Sequence, residues 1–343
     1  MVLELAWSLD LMGCQMRRRD LIQLVAGSTV AAWPLASHSQ HATNPVIGWL
    51  NSGTPRTFAR FLKAFLEGLR EEGYVEGRNL TIRYHWAEGH FDELDALAAE
   101  LVKDRVTLIA ATGGVRVAQS AKKATATIPV VFVLGGDPVR LGLVTSFNKP
   151  DGNITGITII TTELATKRLK LLYDLDPEIR NAAILVNPQA TTANIEIESA
   201  EAAANSAGRS LVVLKASSVV EIEAAFASAI EQQVRALAVS ADPFFMAQRA
   251  QVVGLAADRK FAAMYPFREF VEEGGLMSYG PSLASAYRKA GLYAGRILKG
   301  TKPGELPIER PVAFQFLINL KTAKALGLIV PAGMLAIADE VIE

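Results

Sequence analysis

The sequence predicts an α/β protein of two lobes, each built on a parallel sheet, with a cleft between them. Three observations lead there. The chain has 343 residues, half of them apolar, and single cores stop growing near ~250–300 residues. From Pro45 onward, short β-branched runs alternate with amphipathic stretches, the pattern of βαβ units around parallel sheets. That alternation breaks at turn-rich segments and then begins again, so the sheets are two rather than one.

Taken in order, the first strand falls at Val46–Asn51. The helix that follows, 55–72, sets Phe58, Phe61, Leu62, Phe65 and Leu69 on one face, and Gly73 ends it. Further strands are expected at Leu80–Trp86, Leu108–Thr112 and Val130–Leu134, with helices starting near Phe91, Gly114 and Pro138. Lys149-Pro150-Asp151-Gly152-Asn153 reads as the first crossing between lobes. A second series has strands near Ala183–Asn187, Ser210–Leu214, Leu237–Ser240 and Ala262–Tyr265. Its helices begin near Leu164, Thr192, Val220 and Phe244. Gly274–Gly280 reads as a second crossing, leading into a helix 282–298, and Lys302–Pro311 as a third. A strand 313–319 and a short helix from Lys321 close the chain. The expected division is therefore 45–153 plus 282–302 for the first lobe, and 154–281 plus 303–343 for the second.

The segment ahead of Pro45 reads as a leader. Leu21 to Leu35 is apolar but interrupted by Gln23, Ser28, Thr29 and Pro34, too short and too polar for a spanning helix of ~20 residues. Arg17-Arg18-Arg19-Asp20-Leu21-Ile22 opens it, and the small residues Ser37 and Ser39 follow, as in an export signal of twin-arginine type cut after Ser39, with a Sec signal or a mitochondrial-type presequence as the alternative. Residues 1–39 are thus assigned to a leader, with 16–39 as the signal and 1–15 as a start placed too early, since Met16 stands directly before the arginines. An exported, periplasmic protein is expected. Cys14 is the only cysteine and lies within this segment, which leaves the mature chain without a thiolate, a disulfide or a cysteine metal site.

Charge excludes some partners. Lys plus Arg equals Asp plus Glu at 35 each, so no overall field favours nucleic acid or an anionic membrane. A small ligand fits better. In open parallel sheets ligands sit beyond the carboxyl ends of the strands, where loops meet helix N-termini, and those loops can be read off. Asn51-Ser52-Gly53 follows the first strand. Thr112-Gly113-Gly114 follows the third, with glycines that let backbone N–H groups face a carboxylate where a helix begins, or that simply make a tight turn. Gly135-Gly136-Asp137-Pro138 follows the fourth, and Asp137 either caps the next helix or pairs with a ligand amine. From the second lobe come Asn187, Asp242 ahead of Pro243, and Tyr265. Phe244, Phe245, Tyr265 and Phe267 form an aromatic cluster at loop positions in a chain only 7% aromatic, suited to stacking walls or to core packing.

Enzymatic constellations are missing. Of four histidines, only His85 and His90 stand clear of the leader region, without carboxylates placed to complete a metal site. There is no Gly-x-Ser-x-Gly elbow, Walker loop or dinucleotide fingerprint. No catalytic residue, metal or cofactor is assigned. An α/β enzyme acting on a small acid or sugar, or a ligand-sensing module, remains the alternative to a transport role.

Several strings together resemble the ABC transporter substrate-binding proteins of the tryptophan/tyrosine type. They are Arg17 to Ile22, Pro45 to Gly53, Gly73-Tyr74-Val75-Glu76-Gly77-Arg78-Asn79-Leu80, Gly135 to Val139, Asp151 to Gly156, Gly275 to Gly280, and Asn319-Leu320-Lys321-Thr322-Ala323. Each is weak alone, while their order from residue 16 to the end is specific. The resemblance implies a type I periplasmic-binding fold, with two Rossmann-like lobes joined by three crossing segments. It implies capture of an amino-acid-like or aromatic carboxylate ligand by hinge closure, and an ABC permease as partner to a monomeric protein. By position it places ligand contacts at Asn51, Ser52, Thr112, Gly113, Gly114, Asp137, Asn187 and Asp242, to which the loop aromatics Phe244 and Tyr265 are added.

Overall fold

A computed structural model describes residues 44–310 and 313–343. The proposed leader, with Cys14 and the arginines at 17–19, lies outside the described residues.

Two sheets organise the chain. The first has the order β2-β1-β3-β4-β5, from strands Val46–Asn51 (β1), Thr81–Trp86 (β2), Leu108–Thr112 (β3), Val130–Leu134 (β4) and Ile154–Thr158 (β5). All its pairings are parallel. Strands β3, β4 and the edge strand β5 are buried throughout, which is why β3 and β4 read as near-continuous apolar runs rather than alternating ones. Helices Pro55–Glu71, Leu94–Lys103 and Val115–Ala124 connect the strands. Trp49 lies at the centre, its ring 5.1 Å from that of Phe65.

The second sheet runs β12-β11-β10-β9-β8-β6-β7. Its strands are Asn181–Val186 (β6), Ser210–Lys215 (β7), Ala236–Val239 (β8), Ala262–Tyr265 (β9), Met277–Pro281 (β10), Phe314–Asn319 (β11) and Glu340–Ile342 (β12). The β10–β11 pairing is antiparallel and the rest are parallel.

Three features differ from the sequence expectation. Ile154–Thr158 was expected to open the second lobe, yet it pairs with β4 from Val130↔Ile154 to Leu134↔Thr158. The first crossing therefore falls after β5, near residues 159–164. Met277–Pro281 was expected within a crossing and is a strand, paired on both sides. Its Gly280 and Pro281 are turn formers that the sheet tolerates at a strand end. No helix starts at Pro138; the stretch 138–142 is a chain of turns.

Helix Leu283–Leu298 follows the second sheet in sequence but packs on the first lobe, against Pro55–Glu71. Two glycines allow the approach. A Cβ on Gly68 would overlap the Arg288 carbonyl oxygen, and one on Gly291 the Phe65 carbonyl oxygen. The helix backbones thus touch directly, and Arg288 and Lys299 fasten the rim through Glu71 and Glu72. The return path then runs along β5, where Glu309 N donates to the Gly156 carbonyl, before β11 enters the second sheet.

Candidate ligand cleft between the lobes

The carboxyl ends of β3 and β4 face those of β6, β8 and β9 across a concave cleft, the place where open α/β sheets bind their ligands. The lobes touch at its edges. A Cβ on Gly114 would stand 3.0 Å from Pro243 Cγ, and one on Gly136 3.3 Å from Thr192 Cγ2.

The second-lobe wall is fixed by Asp242. Its residue is 8% exposed and caps helix Pro243–Ala247, with Oδ1 accepting from Phe244 N at 2.9 Å and from Asn187 Nδ2 at 3.1 Å. Among the described residues no donor reaches Oδ2, and Asp242 lines the cleft. Burial pushes its carboxyl up to about 6, a rise that the Asn187 and Phe244 hydrogen bonds partly offset. Asn187 is itself buried, and its own Oδ1 accepts from Gln189 N.

On the first-lobe wall, Gly113 and Gly114 have φ of +91° and +116°, a conformation costly for residues with a Cβ. They turn the chain directly from β3 into helix Val115–Ala124, so its first amides open on the cleft. Arg116, the second residue of that helix, also lines the cleft, its guanidinium carbon 5.3 Å from the centre of the Phe91 ring. Asp95, whose carboxylate feels the Arg116 charge, is instead tied to Lys123 Nζ at 2.6 Å and Ser120 Oγ at 2.7 Å. Among the described residues no carboxylate forms an ion pair with Arg116. Large apolar and aromatic side chains line much of the rest, Phe58, Phe91 and Tyr287 from one lobe and Phe267 and Met246 from the other, with Gln189, Thr191 and Thr192 as the polar part of the second-lobe wall.

Of the residues expected from sequence, the structure brings Gly113, Gly114, Asn187 and Asp242 to the cleft. Asn51, Ser52 and Thr112 lie beneath it and are buried. Asn51 and Thr112 are register partners on β1 and β3, joined by Asn51 Nδ2 to Thr112 Oγ1 at 2.9 Å, and Ser52 Oγ donates to the Gly113 carbonyl at 2.5 Å. The hydroxyl of Tyr287 lies against Asn51, Thr112 and the Gly113 backbone. Asn51, Ser52 and Thr112 thus hold the glycine turn rather than line the cleft. Asp137 does not line the cleft; its carboxylate accepts from Val139 N at 2.8 Å and Arg140 N at 3.2 Å, closing the turn after β4. Phe244 packs on Phe245 with ring centres 5.3 Å apart, and Tyr265 is buried, stacked on Phe270 at 5.0 Å. Both serve the core of the second lobe.

Sequence reasoning missed Arg116, Phe58, Phe91 and Tyr287. Phe58 reads as a core position on one face of its helix. Arg116 carried one usable signal, its place in the first turn after a glycine pair at a strand end.

Two α/β lobes linked by three crossings, with a cleft where their strand ends meet, form the architecture of type I periplasmic binding proteins. The chain belongs to the ABC transporter substrate binding protein family, which it matches over residues 57–342. It is 27% identical over 266 residues to the tyrosine-binding protein of Clostridioides difficile strain R20291, covering 78% of this chain and 76% of that one. Among solved structures it resembles the ABC domain in complex with L-Trp from Streptococcus pneumoniae, with 26% identity, a TM-score of 0.79, and coverage of 88% of this chain and 100% of that one. A conserved domain protein from Vibrio cholerae O1 biovar eltor shares the fold at 23% identity and a TM-score of 0.80, covering 87% of this chain and 99% of that one.

Proposed function

We propose that this substrate-binding protein is the exported capture component of an ABC importer, and that it closes its lobes on a small amino acid with an aromatic side chain. One observation carries the ligand class: the cleft sets a buried carboxylate with a free oxygen, Asp242, on one lobe, and an unpaired guanidinium beside open helix amides, Arg116 and 113–115, on the other. A zwitterion spans them. Its amine makes a charge-assisted bond to Asp242 Oδ2, worth roughly 1.5–3 kcal/mol, and its carboxylate meets Arg116 and the helix amides. Phe58, Phe91, Tyr287 and Phe267 enclose an aromatic ring. The relatives named for tyrosine binding and bound to L-Trp support the same reading.

Binding follows from differential affinity: only the closed form presents both walls at once, so the ligand selects it. Together the three anchors account for micromolar binding, about −8 kcal/mol, after ordering costs. The closed monomer then delivers its cargo to a membrane permease, with no chemical step. Export through the leader at 16–39 places this in the periplasm. Titration calorimetry with L-tryptophan, L-tyrosine, L-alanine and benzoate tests the assignment. One-to-one binding of the aromatic amino acids in preference to the other two is expected, and binding of benzoate alone would remove the amine and with it the role of Asp242.

A further inference from the structure

Behind the cleft lies a charged pair that the ligand does not reach. Arg168, on helix Ala165–Leu175, and Glu196, on helix Ala193–Ser206, are 1% and 2% exposed, with Arg168 Nη2 3.4 Å from Glu196 Oε2. A buried pair of this kind is poor value for stability, because desolvation offsets the attraction, and apolar residues of like volume often do as well or better. Among the described residues Arg168 Nη1 has no partner. Burial raises the Glu196 carboxyl to about 7, with Arg168 pulling against that rise. The presence of so costly a pair calls for another explanation.

The partners supply one. Glu196 Oε2 also accepts from Ala241 N at 3.1 Å, the amide directly ahead of Asp242, and the side chain of Thr192, another cleft residue, lies against the carboxylate. Arg168 Nη2 also donates to the Thr161 carbonyl at 3.2 Å. Thr161 in turn donates to the Gly135 carbonyl through both its N at 3.0 Å and its Oγ1 at 3.3 Å. Gly135 lines the cleft from the first lobe. One buried pair thus joins both walls through the first crossing. The crossing is held tightly there, for Ile160 carries φ +32°, a strained value for a β-branched residue that its surroundings must impose.

We propose that Arg168 and Glu196 are positioning residues that fix the hinge at Thr161 and the Ala241–Asp242 turn in mutual register, so that closure delivers Asp242 to the ligand. The proposal rests on the cleft being the ligand site, and its test separates the two. The variant Arg168→Met/Glu196→Leu removes both charges without leaving one unpaired. Arg168→Met/Glu196→Gln keeps an acceptor for Ala241 N and guards against a folding failure of the first. Melting temperature, affinity for L-tryptophan and L-tyrosine, and hydrogen exchange of the ligand-free protein over 133–137 and 238–246 are measured for both.

The expected result for Arg168→Met/Glu196→Leu is a melting temperature near that of the wild type, affinity at least tenfold weaker, and faster exchange in both segments. Arg168→Met/Glu196→Gln recovers slow exchange at Ala241 and part of the affinity. Wild-type affinity and exchange in both variants overturn the proposal, as does a loss of affinity that only tracks a fall in melting temperature. If the wild type binds neither amino acid, the ligand assignment falls, and exchange alone decides the strut: faster in both segments supports it, unchanged overturns it.

Discussion

At Asp242, stability and binding pull in opposite directions. Its carboxyl titrates near 6 in the folded chain against a reference of 3.8, so the folded state holds its proton more tightly than the unfolded one. Stability from this group is then present at low pH and is lost as pH rises from about 4 through about 6. Glu196, raised to about 7 from 4.5, acts in the same direction over a slightly higher window. Asp242→Asn keeps the helix cap, since asparagine caps as well as aspartate. The ligand-free variant is expected to be more stable at pH 7 by on the order of 2 kcal/mol in urea unfolding, while losing at least tenfold in affinity for L-tryptophan. Affinity of the wild type is expected to fall as pH drops through about 6, because a protonated Asp242 offers an amine no charge. Calorimetry between pH 5 and 8 checks the sign; a flat profile would show that the amine does not rest on Asp242.

The residues also mark where sequence stops informing. Asp137 and Asp242 both precede a proline after a strand, and nothing local separates them. Both accept from the amide two residues on, but only Asp242 is buried and receives a further bond from a distant residue, Asn187. Asn51 and Thr112 were visible as strand-end polar residues, but their mutual bond depends on the β1–β3 register.

At the scale of elements, periodicity carried most of the fold. β1, β3, β4 and β9 match their expected bounds because each is an apolar run framed by turn residues. β5 and β10 were misplaced because membership of a sheet is decided by partners far away in sequence, β4 for the one and β9 with β11 for the other. The contact between helices Pro55–Glu71 and Leu283–Leu298 was invisible for the same reason, although its glycines stand in the sequence. Gly291→Ala would drive a methyl into the Phe65 carbonyl. A loss of about 1–3 kcal/mol is expected in urea unfolding, against no more than a few tenths at Gly333, which has open space around it.

For the whole molecule, few ion pairs join the lobes among the described residues, so the proposed closure rests chiefly on the ligand. Arg60, on helix Pro55–Glu71, reaches Glu272 of the second lobe at 2.6 Å and lies 4.0 Å from Glu269. The closer pair is substantially exposed, and exposed pairs contribute at most about 1 kcal/mol. Arg60→Ala is therefore expected to weaken ligand binding by no more than about fivefold, with the difference shrinking in high salt; a larger effect would mean the rim, not the ligand, drives closure.

The central claim is that a zwitterion bridges Asp242 and Arg116. It is tested most directly by calorimetric titration of L-tryptophan into the wild type, Asp242→Asn and Arg116→Met at pH 7.5, alongside its amine-free and carboxylate-free analogues. The account predicts one-to-one binding to the wild type, a tenfold or greater loss in each variant, and little further loss when the amine-free analogue meets Asp242→Asn or the carboxylate-free analogue meets Arg116→Met. Undiminished binding of L-tryptophan in both variants would contradict it.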